Sequence, residues 1–440
     1  MCFGVITNIS IETFHVTMEP ALPLTRIWLI ALISFGNLHG LGATEASVKR
    51  PSTVAPLLMN DTSKYHEDAY LNARELISKY GYRGETHRVT TNDGYILEMH
   101  RITGPKSNPK PEGKPVIFLM HGLLCSSVDW LIAGPQKALA FMLANAGYDV
   151  WLGNSRGNTF SRGHTKYSSL DKQYWMFSWH EFGTEDLPAM IDYIIQKTGR
   201  EKIFYAAHSQ GTTAYFVMAS EKPEYNDKII VMFAMAPVAY IKHMKSPFFQ
   251  VLARIDKLVS GAMAVLGRYE FKPTDGFMKE VGTIACQEEI WTQEICLNVI
   301  FLIAGFGNDQ MNRTLLPAIL GHTPAGASSR QFIHYSQLFK SNEFRQYDHG
   351  ALKNYWIYKQ RTPPAYDLSK VTIPVILSYG LNDWLAHPKD VQHLAEKLPN
   401  VYIKLRVPNV NFGHMDHLWG IDASRAVYPQ LIAIMKRFRS

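Results

Sequence analysis

The chain has 440 residues, 46% of them hydrophobic and 19% charged, a balance that excludes a disordered chain and supplies a large core. Its net charge of +7 comes from scattered Lys and Arg, with no polybasic arm and no nucleic-acid-binding signature. Nucleic acid is therefore excluded as a partner, and the excess positive charge reads as solvated surface with a weak pull toward anionic lipid.

From Arg26 the chain runs R-I-W-L-I-A-L-I-S-F-G-N-L-H-G-L-G-A. One positive charge, an apolar stretch and small residues at Gly40, Gly42 and Ala43 predict a signal peptide over residues 1–43, cleaved between Gly40 and Ala46. A membrane anchor needs about 20 apolar residues, whereas Ser34, Gly36, Asn37 and His39 interrupt this run. Its distance from Met1 leaves two starts open, Met1 and Met18, the second of which makes Met1–Thr17 an extension. The expected destination is secretion or the lysosome. Export gives meaning to two glycosylation acceptors, Asn60 in Asn60-Asp61-Thr62 and Asn312 in Asn312-Arg313-Thr314. It also leaves Cys125, Cys286 and Cys296 in the mature chain once Cys2 departs, an odd number that permits one disulfide and one free thiol.

Downstream, the alternating stretch around Asp93-Gly94, from Thr86 to Ile102, predicts a hairpin. Short apolar runs follow at Val116–Met120, Tyr148–Leu152, Ile203–Ala207, Ile229–Ala236, Val375–Tyr379 and Val401–Val407. They are continuous rather than alternating, as in strands buried on both faces. Helical patterns at Lys137–Ala146, Leu187–Lys197 and Thr212–Ser220 separate the early ones. This order predicts an α/β fold with a mostly parallel central sheet and helices on both faces. The alternation stops between Ala239 and Tyr366, a stretch too long for a connection and too apolar for a solvated loop. It is expected to be an inserted, mainly helical cap at 239–366, between core segments 44–238 and 367–440.

Chemistry enters where strands end. His208-Ser209-Gln210-Gly211 sits between a buried strand and a helical stretch, the setting of a nucleophile elbow. A serine hydroxyl is a poor nucleophile, so it must stand on a sharp turn where a base reaches its proton. The usual leading glycine is replaced here by Ala207. His121-Gly122-Leu123-Leu124 directly follows the strand Val116–Met120, which predicts the backbone N–H groups of Leu123 and Gln210 as oxyanion donors. In such folds the triad runs Ser, acid, His. Asp383 and His414 lie past the later strands in that order, with Asp416 and His417 as neighbouring competitors among 17 histidines. No H-E-x-x-H metal spacing and no glycine-rich phosphate loop occurs, so neither metal nor cofactor is expected.

Taken together these stretches resemble the acid lipase family, which includes gastric, lysosomal acid and secreted insect lipases. The likeness runs from about Tyr65 to the C-terminus, through H-G-L-L at 121–124, N-S-R-G-N-T-F-S-R at 154–162, D-L-P at 186–188 and H-S-Q-G-T-T at 208–213. It continues through P-A-G-A-S at 324–328, P-P-A-Y-D at 363–367, G-L-N-D-W-L-A at 380–386 and F-G-H-M-D-H-L-W-G at 412–420. The resemblance implies the α/β-hydrolase fold, a cap over the site, and the roles of nucleophile for Ser209, acid for Asp383 and base for His414. It also implies a disulfide between Cys286 and Cys296. Two departures stand out: Ala207 for glycine, and Cys125 where the family has a small non-thiol residue. The implied activity is hydrolysis of lipid esters, triacylglycerol or sterol ester, at an interface, with transient contact to a membrane or lipid droplet. A small-ester carboxylesterase or thioesterase, and a catalytically silent lipid carrier, are the rival readings.

Overall fold

The computed structural model describes residues 67–266, 269–271, 304 and 309–439. The predicted signal peptide, Asn60, Cys286 and Cys296 lie outside the described residues.

The hairpin forms as its alternation predicts. Strands β1 (Tyr82–Thr90) and β2 (Tyr95–Pro105) pair antiparallel around Gly94, whose φ of 99° suits glycine in the turn. The following strands are β3 (Val116–Met120), β4 (Asp149–Leu152), β5 (Gly163–His164), β6 (Ile203–His208) and β7 (Ile229–Met235). Two-residue strands β8 (Glu270–Phe271) and β9 (Ala327–Ser328) pair with each other, and β10 (Val375–Tyr379) and β11 (Val401–Arg406) complete the main sheet. Its order is β1-β2-β4-β3-β6-β7-β10-β11, with β5 on the flank of β2. From β4 to β11 every neighbouring pair is parallel.

Six apolar runs were expected as doubly buried strands. Five fit that description, since β3, β4 and β6 are wholly buried and β7 and β10 nearly so. Val401–Val407 does not. It forms the edge strand β11, with Tyr402 46% and Ile403 38% exposed, since it ends the strand order and pairs only with β10 among the described strands.

Alternate side chains of the central strands enter two separate cores. Phe118, Trp151 and Tyr205 pack on one face with the helices Leu187–Thr198 and Gln210–Glu221. Ile117, Leu119, Val150 and Phe204 pack on the other with Ala73–Lys79, Leu139–Asn145 and Tyr428–Arg437. Each strand thus buries both faces, and its sequence reads as an unbroken apolar run.

Between β7 and β10 the described residues are mainly helical: Pro247–Leu266, Leu316–His322, Ser329–Ser341 and Ala351–Tyr358. A segment from the first half of the chain joins them. Trp179 stacks on His334 with ring centroids 3.7 Å apart, and Phe344 lies 5.8 Å from it. The stretch containing Trp175, Phe177 and Phe182 has no period to announce this role. Among the described residues no helix is long and apolar enough to cross a membrane.

Candidate active site

Ser209 occupies the apex between β6 and the helix Gln210–Glu221 with φ 51° and ψ −119°, a conformation that non-glycine residues rarely adopt. Its N–H donates to the carbonyl of Met235 at 3.0 Å, and its own carbonyl accepts from Thr212 at 2.8 Å, so strand and helix hold the strain in place. Two glycines make room. A Cβ on Gly211 would meet the carbonyl oxygen of Met120 at 2.6 Å, and one on Gly122 would meet Cβ of Ser209 at 3.1 Å. Ala207, by contrast, lies inside β6, where it is fully buried between paired strands. Its extra methyl falls in the core rather than on the turn, so the elbow needs no glycine there.

The predicted partners converge on this apex. His414 Nε2 lies 2.8 Å from Ser209 Oγ, and its Nδ1 lies 2.9 and 3.0 Å from the two oxygens of Asp383. Asp383 also accepts the N–H groups of Leu385 and Ala386 at 2.9 and 2.7 Å. Burial pushes its carboxyl up, but His414 and these N–H donors outweigh that and leave it below its ordinary value. It therefore stays ionised beside the imidazole. The competitors point elsewhere: Asp416 accepts the Gly413 N–H at 2.6 Å, and His417 Nε2 faces Ser378 Oγ at 3.3 Å. Burial lowers His417 to about 4, so it stays neutral.

Several residues around this cluster carried no individual signal in the sequence. His208 donates from Nε2 to the carbonyl of His414 at 2.9 Å, tying the strand before Ser209 to the loop of its partner. His121 donates from Nδ1 to the Gly122 carbonyl at 2.8 Å and accepts the Ser155 N–H on Nε2 at 3.1 Å. Burial holds His121 at about 4, neutral, as that pair of bonds requires. The P-A-G-A-S stretch straps the same loop from the other side. Ala325 N–H donates to the carbonyl of Leu124 at 2.6 Å, where Leu124 has a φ of 64°, and Thr323 Oγ1 donates to Asp129 at 3.0 Å. A motif visible only as a match is thus a brace for the loop opposite Ser209.

Leu123 lines the cavity with Ser209 and His414. Gln210 stands at the first position of its helix, where a backbone N–H has no acceptor within the helix. The remaining wall is apolar: Ile241 and Met244, Phe248 and Phe249 of the helix Pro247–Leu266, and Phe332 and Tyr335 of Ser329–Ser341. Cys125 is buried beside Leu123 as a free thiol, pushed well above its usual value by burial and then by the Asp129 carboxylate. Those surroundings are those of a small apolar side chain and disfavour the thiolate.

Two family profiles match the chain: a partial alpha/beta-hydrolase lipase region over residues 73–134 and the alpha/beta hydrolase fold over residues 115–264. Lipase 3 of Drosophila melanogaster is 43% identical over 364 residues, covering 83% of this chain and 92% of that protein. Gastric triacylglycerol lipase of Mus musculus is 39% identical over 416 residues, covering 93% and 99%. The chain belongs to the acid lipase family. Lysosomal acid lipase/cholesteryl ester hydrolase of Macaca fascicularis, 38% identical over 371 residues, covers 84% of this lipase and is itself covered over 92%. A crystal structure of a Sulfolobus solfataricus protein superposes with a TM-score of 0.55 at 14% identity, covering 81% of the lipase and 94% of that chain, a likeness of fold alone. The α/β-hydrolase fold and the ester-hydrolase class expected from the sequence both hold.

Proposed function

We propose that this lipase cleaves long-chain lipid esters, triacylglycerol or sterol ester, through an acyl-enzyme on Ser209. His414 takes the Ser209 proton as the hydroxyl attacks the ester carbonyl, and Asp383 fixes the ring and stabilises the imidazolium. The N–H groups of Leu123 and Gln210 receive the oxyanion, each contributing about 3 kcal/mol. His414 then protonates the leaving alcohol. Water, deprotonated by the same imidazole, releases the acid and restores Ser209. The observation that carries this reading is the Ser209–His414–Asp383 chain of contacts at 2.8 and 2.9 Å, set against an apolar wall.

Substrate length follows from that wall. Each CH₂ moved from water into an apolar site contributes about 0.8 kcal/mol, and polar catalytic loops cannot supply such a site. The insertion at 239–366 is proposed as the cap that does. Residues 1–43 are proposed to direct secretion or lysosomal delivery, Cys286 and Cys296 to pair by a disulfide, and Asn60 and Asn312 to carry glycans. Contact with membrane or droplet is transient, at the surface holding the substrate.

The test is kcat/KM across acyl lengths, below and above substrate solubility, for the parent chain and Ser209→Ala. Efficiency is expected to rise with acyl length and at the interface, and Ser209→Ala is expected to lose activity by several orders of magnitude. An optimum at acetyl or butyryl esters with no interfacial gain identifies a carboxylesterase. More than about a tenth of parental activity in Ser209→Ala removes the serine from the mechanism.

A further inference from the structure

The helix Ala351–Tyr358 is out of keeping with an ordinary solvated surface. Its inner side is fixed by polar contacts. Asn354 is 1% exposed, donates to Asp348 Oδ1 at 2.8 Å and to the Arg361 carbonyl at 2.9 Å, and accepts the His349 N–H at 2.9 Å. Tyr358 donates its hydroxyl to the Tyr347 carbonyl at 2.8 Å. At 100° per residue, Asn354 and Tyr358 facing inward turn Leu352, Tyr355 and Trp356 outward as one stripe. They are 84%, 57% and 75% exposed, and Ile357, about 100° further round the helix, is 49% exposed. Elsewhere among the described residues, exposed large apolar side chains stand singly in the chain, such as Leu170 and Val410, or as the pair Tyr402 and Ile403 on the edge strand. Three large apolar side chains on one stripe, with Ile357 on the far flank beyond Lys353, form a surface of the kind that marks an interaction site.

Charge selects the partner. From Ala351 to Thr362 there is no Asp or Glu, while Lys353, Lys359 and Arg361 are all exposed. An apolar stripe with basic flanks matches a surface that is apolar within and anionic at its rim. Trp and Tyr suit the boundary itself, with an apolar ring and a polar edge. We propose that this helix is an adsorption site for a lipid surface with anionic head groups. Leu352 and Trp356 enter the acyl region, Tyr355 stays at head-group depth, and Lys353 and Lys359 meet the phosphates or carboxylates.

The proposal rests on the lipase reading, since an enzyme whose substrate is a separate phase must adsorb before it turns over. The helix is also joined to the wall of the site. Arg330 belongs to the helix that supplies Phe332 and Tyr335 to the cavity; it stacks over Tyr347 at 4.2 Å and reaches His349 at 3.3 Å. Residues 347–349 lead directly into Ala351, so the anchoring surface and the acyl wall share one packed unit.

The test uses the full chain, the double variants Leu352→Ser/Trp356→Ser and Lys353→Gln/Lys359→Gln, and vesicles of phosphatidylcholine with or without phosphatidylserine. The parent chain is expected to sediment with vesicles, more strongly when phosphatidylserine is present. The apolar double variant should lose at least about tenfold in partition on both vesicle types. The lysine variant should lose the phosphatidylserine preference by about fivefold per lysine. Both should retain parental kcat/KM on a soluble short-chain ester, which also shows that they fold, and lose rate on emulsion in step with binding. Parental vesicle binding by both variants overturns the proposal. So does a dimer of the parent chain that the apolar variant dissolves without loss of vesicle binding, which makes the patch a self-association face. Vesicle binding is scored without turnover, so failure of the ester-hydrolase reading shows in the ester assays and leaves the vesicle readout intact.

Discussion

Ser209 sits in a backbone conformation that costs about 1–3 kcal/mol, a cost the proposed nucleophile role accounts for, since that hydroxyl must stand clear of the strand. Glycine carries no such penalty. Ser209→Gly is therefore expected to be as inactive as Ser209→Ala yet to unfold at a higher temperature, by an increment worth about 1 kcal/mol, measured by calorimetry of the two variants. Asp416 supplies a second test at this scale. Burial, with smaller repulsion from Asp309 and Asp383, raises its carboxyl to about 7, although the Gly413 N–H opposes that rise. An unfolded aspartate ionises near 4, so between about pH 4 and 7 the unfolded chain has lost a proton that the folded chain keeps. Asp416 thus costs stability as pH rises through that window. Asp416→Asn cannot ionise and retains an oxygen for Gly413. Its stability relative to the parent should improve by about 2–3 kcal/mol between pH 5 and pH 8 in urea titrations. A pH-independent difference would show that Asp416 is already ionised at pH 5.

Among elements, the connection after β4 is held by Arg156, 1% exposed, which donates to Asp186 at 2.7 Å and to Asp93 at 2.9 Å and lies 3.9 Å over the Tyr95 ring. One guanidinium therefore joins the β1–β2 turn, the loop after β4 and the start of the helix Leu187–Thr198. Asp186 is fully buried, and burial raises it to about 6 even with Arg156 beside it. Removing the cation strands that carboxyl. Arg156→Met is expected to cost about 3–5 kcal/mol in urea unfolding, and Arg156→Lys most of that, because an ammonium cannot span both carboxylates. Retained stability in Arg156→Lys would reduce the network to a single ion pair. The motifs N-S-R-G and D-L-P were visible in the sequence without a reason. The reason is this contact across 30 residues of chain, which no local pattern encodes.

At the scale of the molecule, the acyl wall is assembled from separated parts: Phe249 and Phe332 stack with centroids 6.1 Å apart across two helices and face Ser209 from above the sheet's strand ends. Phe332→Ala should lower kcat/KM for long-chain esters by about tenfold or more while leaving short esters within about twofold, since only the long chain uses that surface. Equal losses on both would place Phe332 in support of the triad instead. The strands, the sharp turn at Ser209 and the positions of Asp383 and His414 past later strand ends were legible in the sequence because each depends on neighbours in the chain: apolar runs bury, and loops follow where strands end. Distances along the chain carry no such record. Tertiary structure alone gave Asp416 and His417 their separate contacts with Gly413 and Ser378, placed β11 at an edge, brought Trp179 beneath His334 and laid Ala325 against Leu124. Those outcomes depend on which surfaces remain uncovered after the sheet has formed, and burial and hydrogen-bond satisfaction settle that only among residues distant in sequence.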